Sequence, residues 1–329
     1  MSDNKTLLSI RNLSTFFDTE NGKAKAVQNV SFDIKNGETF ALVGESGCGK
    51  SVTALSIMQL VSKPAGRIVS GEIFLKSRNI LKFPERQMRR IRGNKIAMIF
   101  QEPMTSLNPV FTIGTQIIEA ITLHQKKSYQ EAWQMAEEML SKVRIPDPAR
   151  RLEEYPHLLS GGMRQRVMIA MAISCKPSLL IADEPTTALD VTIQAQILDL
   201  LDELQQSEKM SILLITHDLG VVAQRADYVA VMYASRIVER CSCSKLFNNS
   251  LHPYTKGLLN SLPQLGIKQN RLNTIAGNVP EPLNFPTGCK FHPRCSIGCN
   301  DKRCQTQEPE LKEVCDNHYA ACWYAKGYD

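Results

Sequence analysis

The chain has 329 residues, of which 43% are hydrophobic and 22% are charged, as is ordinary for a globular protein. This length leaves room for one large domain and a smaller one. No apolar run approaches the roughly 18 residues that span a bilayer, and Met1–Lys5 lacks the charged-then-apolar layout of a signal peptide. The net charge of +6 is modest and its Lys and Arg residues are scattered. We therefore expect a cytosolic protein that does not bind nucleic acid.

The first part of the chain predicts strands. Leu7–Leu13 alternates apolar and polar residues, Phe16 and Phe17 follow it, and a polar loop is expected up to Gly22. Val27–Ile34 has the alternation of a half-buried strand. The run Phe40–Val43 is apolar throughout, which predicts a buried strand, and Val52–Met58 after it predicts a helix.

Between that buried strand and that helix lies the pattern G-x-x-x-x-G-K-[ST], which is typical of a phosphate-binding loop. Glycines let backbone N–H groups point at phosphate oxygens, and a helix start adds partial positive charge. We expect Lys50 to reach the β- and γ-phosphates and the Ser51 hydroxyl to bind Mg²⁺. The candidate nucleotide-binding residues are Gly44, Glu45, Ser46, Gly47, Cys48, Gly49, Lys50 and Ser51.

The middle of the chain predicts a strand and then helices. Lys95–Phe100 is a strand candidate that ends at Gln101, and helical patterns follow from Glu102 to about Leu159. Ser128 has the spacing of a capping box. Behind it an apolar stripe, which we interpret as helix core, is formed by Trp133, Ala136, Leu140 and Val143.

Two acids follow the apolar strand Leu179–Ala182. Parallel strands present functional groups at their carboxyl ends, so Asp183 is a candidate Mg²⁺ ligand. Glu184, one residue on, is a candidate for polarising the water that attacks the γ-phosphate. Further strands are expected at Ser211–Thr216 and Tyr228–Tyr233.

Leu159–Arg166 contains the most specific string of the chain, in which Ser160 and two glycines precede a helix and offer donors to an anion. It resembles the signature of the ABC-transporter ATPases. The other motifs of that family occur in order: Gln101 as in the Q-loop, Thr187–Asp190 as in the D-loop, and Ile215–Asp218 as in the H-loop. The resemblance covers about residues 7–245. It implies an α/β P-loop NTPase cassette with a RecA-like core, an antiparallel β subdomain and a helical subdomain at about 102–165.

The resemblance also implies roles for residues outside the phosphate loop. Two cassettes would pack head to tail, with each ATP between the phosphate loop of one and the signature of the other, here Ser160, Gly161 and Gly162. Gln101 would link Mg²⁺ or the attacking water to the membrane partner, and His217 would contact the γ-phosphate. Phe17 resembles the aromatic residue that stacks on adenine, although core packing is the alternative because Phe16 is adjacent.

Three further stretches resemble the oligopeptide and dipeptide permease ATPases: Gln101–Pro109, His252–Leu259 and the cysteine-rich tail. Tyr233–Glu239 also fits, except that Ser235 stands where the family usually has Gly. The implied function is ATP hydrolysis that powers peptide import. The implied partners are a second related ATPase, two integral membrane permease subunits and an extracytoplasmic peptide-binding protein, at the cytoplasmic face of the bacterial inner membrane.

Other functions stay open at this point. Close relatives of these ATPases carry nickel, antimicrobial peptides or glutathione, and the ATPase does not touch the cargo. A soluble ABC ATPase of DNA repair or translation is a further alternative. The repair proteins insert a long coiled coil where only about a hundred residues separate Ser51 from Ser160, and the translation proteins carry two cassettes in one chain.

Six of the ten cysteines fall in the last 41 residues, and in a reducing compartment such clustering favours a metal over disulfides. By the resemblance, four of them would hold a [4Fe–4S] cluster: Cys289, Cys295, Cys304 and Cys322. Zinc and unliganded thiols are the alternatives, and Cys299 and Cys315 are additional candidate ligands. We expect an ATP-binding domain at 1–245 and a cysteine-containing extension at 246–329.

Overall fold

The structure is a computed structural model and describes residues 6–101, 106–187, 189–262 and 274–328. The strands in these ranges are β1 (Thr6–Thr19), β2 (Gly22–Lys35), β3 (Thr39–Val43), β4 (Gly66–Leu75), β5 (Arg78–Asn79), β6 (Ile96–Ile99), β7 (Leu179–Asp183), β8 (Ser211–Thr216), β9 (Tyr228–Tyr233), β10 (Arg236–Ser242), β11 (Lys312–Cys315) and β12 (His318–Ala320).

The α-helices of the same ranges are α1 (Lys50–Ile57), α2 (Glu85–Met88), α3 (Ile113–Gln125), α4 (Tyr129–Lys142), α5 (Pro148–Glu153), α6 (Gly161–Ile173), α7 (Val191–Glu208), α8 (Leu219–Arg225), α9 (Cys243–Asn249), α10 (Pro253–Asn260) and α11 (Lys302–Thr306). Short 3-10 helices lie at Ile80–Lys82, Pro156–Leu158 and His292–Arg294. None of the helices that the structure describes is long and apolar enough to cross a bilayer.

The chain divides into two compact units. The first comprises Met1–Leu7, Lys35–Gly37 and Lys82–Leu214, and the second comprises Leu8–Ile34, Glu38–Leu81 and Ile215–Asp329. The domain boundary expected near residue 245 stays a prediction, since this division into compact units does not test it.

In the first unit, β8, β7 and β6 are neighbours in one sheet, and β6 and β7 pair in parallel. Every residue of β7 and of β8 is buried. Strands buried on both faces carry apolar side chains on both faces, which is why these segments read as continuous apolar runs.

Helix α4 of the first unit begins where its capping residue predicts. The Ser128 hydroxyl accepts a hydrogen bond from the Glu131 N–H, and the Glu131 carboxylate accepts one from the Ser128 N–H at 2.9 Å. The capping box is therefore confirmed. Behind it, Ala136, Leu140 and Val143 are fully buried and form helix core.

The second unit contains two sets of paired strands. One sheet has the order β2-β1-β4-β5, with β1 and β4 antiparallel. In the other sheet β3 pairs in parallel with β9, β9 pairs antiparallel with β10, and the hairpin β11-β12 continues the order. Strand β1 is longer than the sequence predicted, because its pairing with β4 resumes after an irregularity at Ser14 and reaches Phe17 opposite Gly66.

The C-terminal extension packs onto strands of the second unit. Strand β12 pairs with β10, with Glu239 opposite Ala320. The rings of Tyr254 and Phe291 lie 4.6 and 5.2 Å from that of Tyr233 at the end of β9. Helices α9 and α10 form where the sequence shows weak periodicity, because the core of the unit covers their apolar side chains.

A buried carboxylate fastens this extension. Glu239 on β10 is fully buried and accepts hydrogen bonds from the N–H groups of Leu251 and His252 at 2.7 and 2.9 Å. The Nε2 atom of His318 on β12 lies 2.8 Å from the same carboxylate. Burial alone would raise the pKa of Glu239, but the hydrogen bonds from His318 and from the two N–H groups hold it below its ordinary value of 4.5.

We expect Glu239→Gln to lower the free energy of unfolding by about 3 kcal/mol at neutral pH, because removing one member of a buried charged network leaves the others unpaired. A depressed folded pKa stabilises the fold above the unfolded pKa, and this contribution is lost as the pH falls through the folded value. The difference between the two proteins should therefore shrink below pH 4.5.

Chemical denaturation at several pH values measures this difference. The matched control is Glu203→Gln, which removes an exposed partner of Arg144 and should change the unfolding free energy by about 0.5 kcal/mol or less. An equally small change for Glu239→Gln would show that the carboxylate does not fasten the extension.

Candidate functional site

The candidate phosphate loop joins β3 to α1 in the second unit. Gly44, Gly47 and Gly49 have φ values of 152°, 78° and 106°, in the region that favours glycine. A Cβ atom at Gly44 would lie 2.2 Å from the Met232 carbonyl oxygen. One at Gly49 would lie 2.3 Å from the Ala26 carbonyl oxygen. The loop can therefore take this path only with glycine at both positions.

Lys50 is buried in the first turn of α1, and its ammonium turns back over the loop. Its Nζ atom donates to the carbonyl oxygens of Gly44 and Glu45 at 2.8 and 3.1 Å. The positive charge is thus held inside the curve of the loop. Ser51 is half-buried at the next position of the helix, while burial raises the pKa of the neighbouring Cys48 thiol, which stays neutral.

In the first unit the two acids follow β7 as predicted. Asp183 is buried as the last residue of β7, and Glu184 is half-buried with a φ of 46°. A non-glycine residue in this region stores backbone strain, which is often found at functional sites.

The side chain of Glu184 is held by polar contacts within the first unit. The Gln101 amide Nε2 donates to its Oε2 atom at 2.8 Å, and the Thr187 hydroxyl donates to the same atom at 3.2 Å. The structure therefore brings together Gln101 and Glu184, two of the residues predicted from different motifs. Thr187 was predicted as part of the D-loop pattern, but its contact with Glu184 was not.

The signature residues open helix α6, also in the first unit. Ser160 is the N-cap, and its hydroxyl accepts a hydrogen bond from the Met163 N–H. A Cβ at Gly162 would lie 3.0 Å from the Ile193 side chain, so this glycine lets the start of α6 lie close to the start of α7. Both Ser160 and Gly161 are exposed.

His217 and Phe17 are single-residue candidates in the second unit. His217 is exposed directly after β8, and Asp218 beside it caps α8 by accepting hydrogen bonds from the N–H groups of Gly220 and Val221. Phe17 is half-buried, and its ring packs against Gly66 across the β1–β4 pair. Parts of two predicted motifs, Glu102–Thr105 and Ala188, lie outside the described residues.

The tail brings four of its cysteines to one small cavity. Cys289, Cys295, Cys304 and Cys322 line it together with His252, Phe291, His292 and Tyr324, among others. Burial raises the pKa of Cys289 to about 12 and that of Cys304 to about 11, so both are neutral thiols in the absence of a metal. The two additional candidates do not line this cavity, and Cys315 is exposed on β11.

No sequence pattern indicated the contacts that the tail makes with the phosphate loop. Tyr254 and Arg294 both bind Glu45, although they lie more than 200 positions away in the chain. Both belong to stretches that were singled out only by resemblance, and neither stretch indicates a partner in the loop.

Two family models match the chain. The family model of ABC transporters matches residues 27–187, and that of the oligopeptide/dipeptide transporter C-terminal region matches residues 238–304. The probable peptide ABC transporter ATP-binding protein y4tR of Sinorhizobium fredii is 54% identical over 96% of this chain and 94% of its own. The dipeptide transport ATP-binding protein DppD of Escherichia coli is 48% identical over 97% of this chain and 96% of its own.

Solved structures share the fold. A dimeric structure of a post-hydrolysis state of the ATP-binding cassette MJ0796, bound to ADP and Pi, has a TM-score of 0.64 at 25% identity. The match covers 72% of this chain and 98% of that one. A second dimeric structure of this bacterial ABC transporter cassette gives the same TM-score at 26% identity.

Fold and motifs together define an ATP-binding cassette of the P-loop NTPase class. Within that class, the chain belongs to the ATP-binding subunits of oligopeptide and dipeptide ABC transporters. The resemblance and the fold class that the sequence indicated are therefore confirmed. As a member of this family the chain is an ATPase that uses ATP and Mg²⁺.

We expect Gly49→Ala to weaken Mg·ATP binding by more than about tenfold, since a left-handed backbone costs about 1–2 kcal/mol for a non-glycine residue and the new methyl group meets the Ala26 carbonyl in addition. Titration with a fluorescent ATP analogue measures this. The matched control is Gly37→Ala, which has a φ of 74° but open space around the new atom. That variant should keep its nucleotide affinity, and equal affinities for the two variants would contradict the role of the loop.

Proposed function

We propose that this chain hydrolyses ATP to power the import of di- or oligopeptides through a membrane transporter. The observation that carries this proposal is the near full-length similarity to peptide-transport ATP-binding proteins, which includes the C-terminal region specific to that transporter type. The soluble ABC ATPases are disfavoured by the same C-terminal match.

The phosphate loop would bind the nucleotide phosphates. Its backbone N–H groups and the Lys50 ammonium would surround the β- and γ-phosphates. Mg²⁺, when bound, would neutralise charge that develops on the phosphates during transfer. Ser51 offers it a hydroxyl and Asp183 a carboxylate, and both are oxygen ligands of the kind that Mg²⁺ prefers. Phe17 would stack on the adenine.

Glu184 would be the general base. Hydrogen bonds from Gln101 and Thr187 already orient its carboxylate. The carboxylate can therefore accept a proton from the attacking water without a prior change of side-chain conformation. Gln101 would also contact Mg²⁺ or that water, and His217 would contact the γ-phosphate. These roles rest on the family motifs and on the local contacts of each residue.

The active assembly would contain two cassettes. Related cassettes form dimers in solved structures, and the exposed start of α6 offers Ser160, Gly161 and Gly162 to a nucleotide held by a partner chain. A triphosphate needs donors on every side, and one loop covers only part of it. We propose a second, related ATPase as that partner, so a lone chain should hydrolyse ATP slowly.

The other partners would be two integral membrane permease subunits and an extracytoplasmic peptide-binding protein. The chain would then lie at the cytoplasmic face of the bacterial inner membrane. Nickel, glutathione or antimicrobial peptides are the alternative cargoes, and the ligand of the partner binding protein would distinguish them.

Glu184→Gln should lower the rate of ATP turnover in the assembled transporter at least about a hundredfold, because general-base catalysis typically contributes that much or more to the rate. The amide still accepts the Gln101 hydrogen bond, so Mg·ATP binding should be preserved. Phosphate release and nucleotide affinity are measured side by side, with Glu203→Gln as an exposed control. Full turnover in Glu184→Gln would remove the residue from its assigned role.

We propose that the four cysteines of the cavity, Cys289, Cys295, Cys304 and Cys322, would hold a [4Fe–4S] cluster, which would supply a redox-active or structural metal centre on four thiolates. In a four-cysteine zinc site the sulfurs lie about 3.8 Å apart, since Zn–S bonds of about 2.3 Å are arranged as a tetrahedron. In the part of the chain that the structure describes, no three sulfurs of Cys289, Cys295, Cys304 and Cys322 lie within 4.8 Å of one another. These four sulfurs therefore do not form a preformed four-cysteine zinc site in the described residues.

Anaerobic purification tests this proposal. We expect a brown protein with about four irons per chain, and loss of both colour and iron in Cys289→Ser. Cys315→Ser is the matched control, since this exposed thiol does not line the cavity. Stoichiometric zinc, or no metal at all, would contradict the assignment.

A further inference from the structure

Glu45, the second residue of the phosphate loop, is bound on three sides. Its N–H donates to the Tyr254 hydroxyl at 2.9 Å. Its carboxylate accepts two hydrogen bonds from the Arg294 guanidinium, at 2.7 and 3.1 Å. Its carbonyl oxygen accepts from the Lys50 ammonium at 3.1 Å. Two of these three partners belong to the C-terminal extension and the third is the lysine of the loop itself.

Arg294 is fixed before it reaches Glu45. Its Nε donates to the Ala276 carbonyl at 2.9 Å, its guanidinium carbon lies 5.7 Å from the Tyr233 ring centre, and its side chain is only 5% exposed. The bidentate hydrogen bonds to Glu45 raise the pKa of Arg294 above its ordinary value. This two-pronged ion pair joins a buried arginine to a partly exposed carboxylate. Its bidentate geometry is specific, unlike that of most surface ion pairs, which contribute little to stability.

Tyr254 is equally constrained. It is fully buried, and its ring packs against Tyr233 at 4.6 Å and Phe291 at 5.5 Å between ring centres. Burial raises its pKa, so the hydroxyl stays protonated. A rigid ring therefore presents one oxygen to the N–H of Glu45, and this N–H is directed to the extension.

Phosphate binding by the loop does not itself require the contacts of Glu45 with Tyr254 and Arg294. The loop pattern leaves four positions free between its first glycine and the second, and Glu45 occupies the first of them. A carboxylate beside a triphosphate would repel it unless a cation neutralises the charge. Arg294 supplies that cation and, in doing so, binds the loop to the extension.

We propose that Arg294 and Tyr254 are positioning residues for nucleotide binding. Together they hold Glu45 so that the phosphate loop keeps the conformation that binds nucleotide, and Arg294 neutralises the charge of the Glu45 carboxylate. This inference rests on the proposed binding of ATP by the loop. Its physical basis is that only molecules in the binding-competent conformation bind the ligand. The apparent affinity is therefore reduced in proportion to the fraction of molecules in that conformation.

Arg294→Gln should raise the dissociation constant for Mg·ATP about tenfold, because a hydrogen bond to a charged group contributes roughly ten- to a hundredfold in an equilibrium constant. Tyr254→Phe should raise it about threefold, as expected for a neutral hydrogen bond. Arg294→Lys should fall between the unmodified chain and Arg294→Gln, since lysine keeps the charge but not the fork. In the assembled transporter KM for ATP should rise with the dissociation constant, while kcat at saturating ATP stays unchanged.

The control is Arg236→Gln, which removes an ion pair between β10 and Glu308 of the extension, at 2.6 Å, without touching the loop. It should leave both nucleotide affinity and KM unchanged. An effect equal to that of Arg294→Gln would show a general loosening of the extension and would overturn the inference.

Glu45→Gln tests the same contact from the loop side. Because the Glu45 side chain is partly exposed, we expect this variant to fold. It should weaken binding, and the double variant Glu45→Gln/Arg294→Gln should be no weaker than Arg294→Gln alone, because the two residues act through one contact. Additive losses, or unchanged affinity in folded Arg294→Gln and in Glu45→Gln, would overturn the inference. Absence of Mg·ATP binding by the unmodified chain would instead refute the nucleotide role of the loop.

Discussion

A methyl group at Gly44 or Gly49 would lie 2.2 or 2.3 Å from a backbone carbonyl oxygen, that of Met232 on β9 or that of Ala26 on β2. The phosphate loop is therefore shaped by the strands around it as much as by its own residues. Backbone carbonyls of strands cannot move aside without breaking their ladders, so the path of the loop at Gly44 and at Gly49 is fixed before any nucleotide arrives. Such preorganisation reduces the ordering cost of binding.

The extension adds a second constraint to the same loop. Arg294 stands between Cys289 and Cys295 in the chain, in a short 3-10 helix whose neighbours line the cysteine cavity. A metal held by these cysteines would fix the turn that carries the guanidinium. The cysteine-rich tail and the phosphate loop would then be parts of one structural unit, although the sequence places them at opposite ends of the chain.

The first unit shows the same division between local and distant determinants. Strand β7 and helix α6 follow from apolar runs and from an N-cap serine, so their positions could be predicted from a few adjacent residues. The strained backbone of Glu184 and its hydrogen bond to Gln101 depend on the pairing of β6 with β7, which no local pattern reports. The family motifs predicted both Gln101 and Glu184 as site residues, whereas only the structure shows the hydrogen bond between them.

Elements with strong local signals were predicted well, including the capping box at Ser128 and the buried strands around the loop. Strand β1 was predicted too short because its last residues are stabilised by β4 across an irregularity. Helices α9 and α10 were missed because packing, rather than periodicity, stabilises them. The bond between Arg294 and Glu45 joins residues 249 positions apart, and ion pairs of this kind have no signature in a single sequence.

Hydrogen exchange of the loop amides, measured with and without Mg·ATP, tests the central claim most directly. Nucleotide that binds in the curve of residues 44–51 should slow exchange of those amides, and the protection should require Mg²⁺. Saturable nucleotide binding that leaves these amides unchanged would place the nucleotide elsewhere and contradict the account.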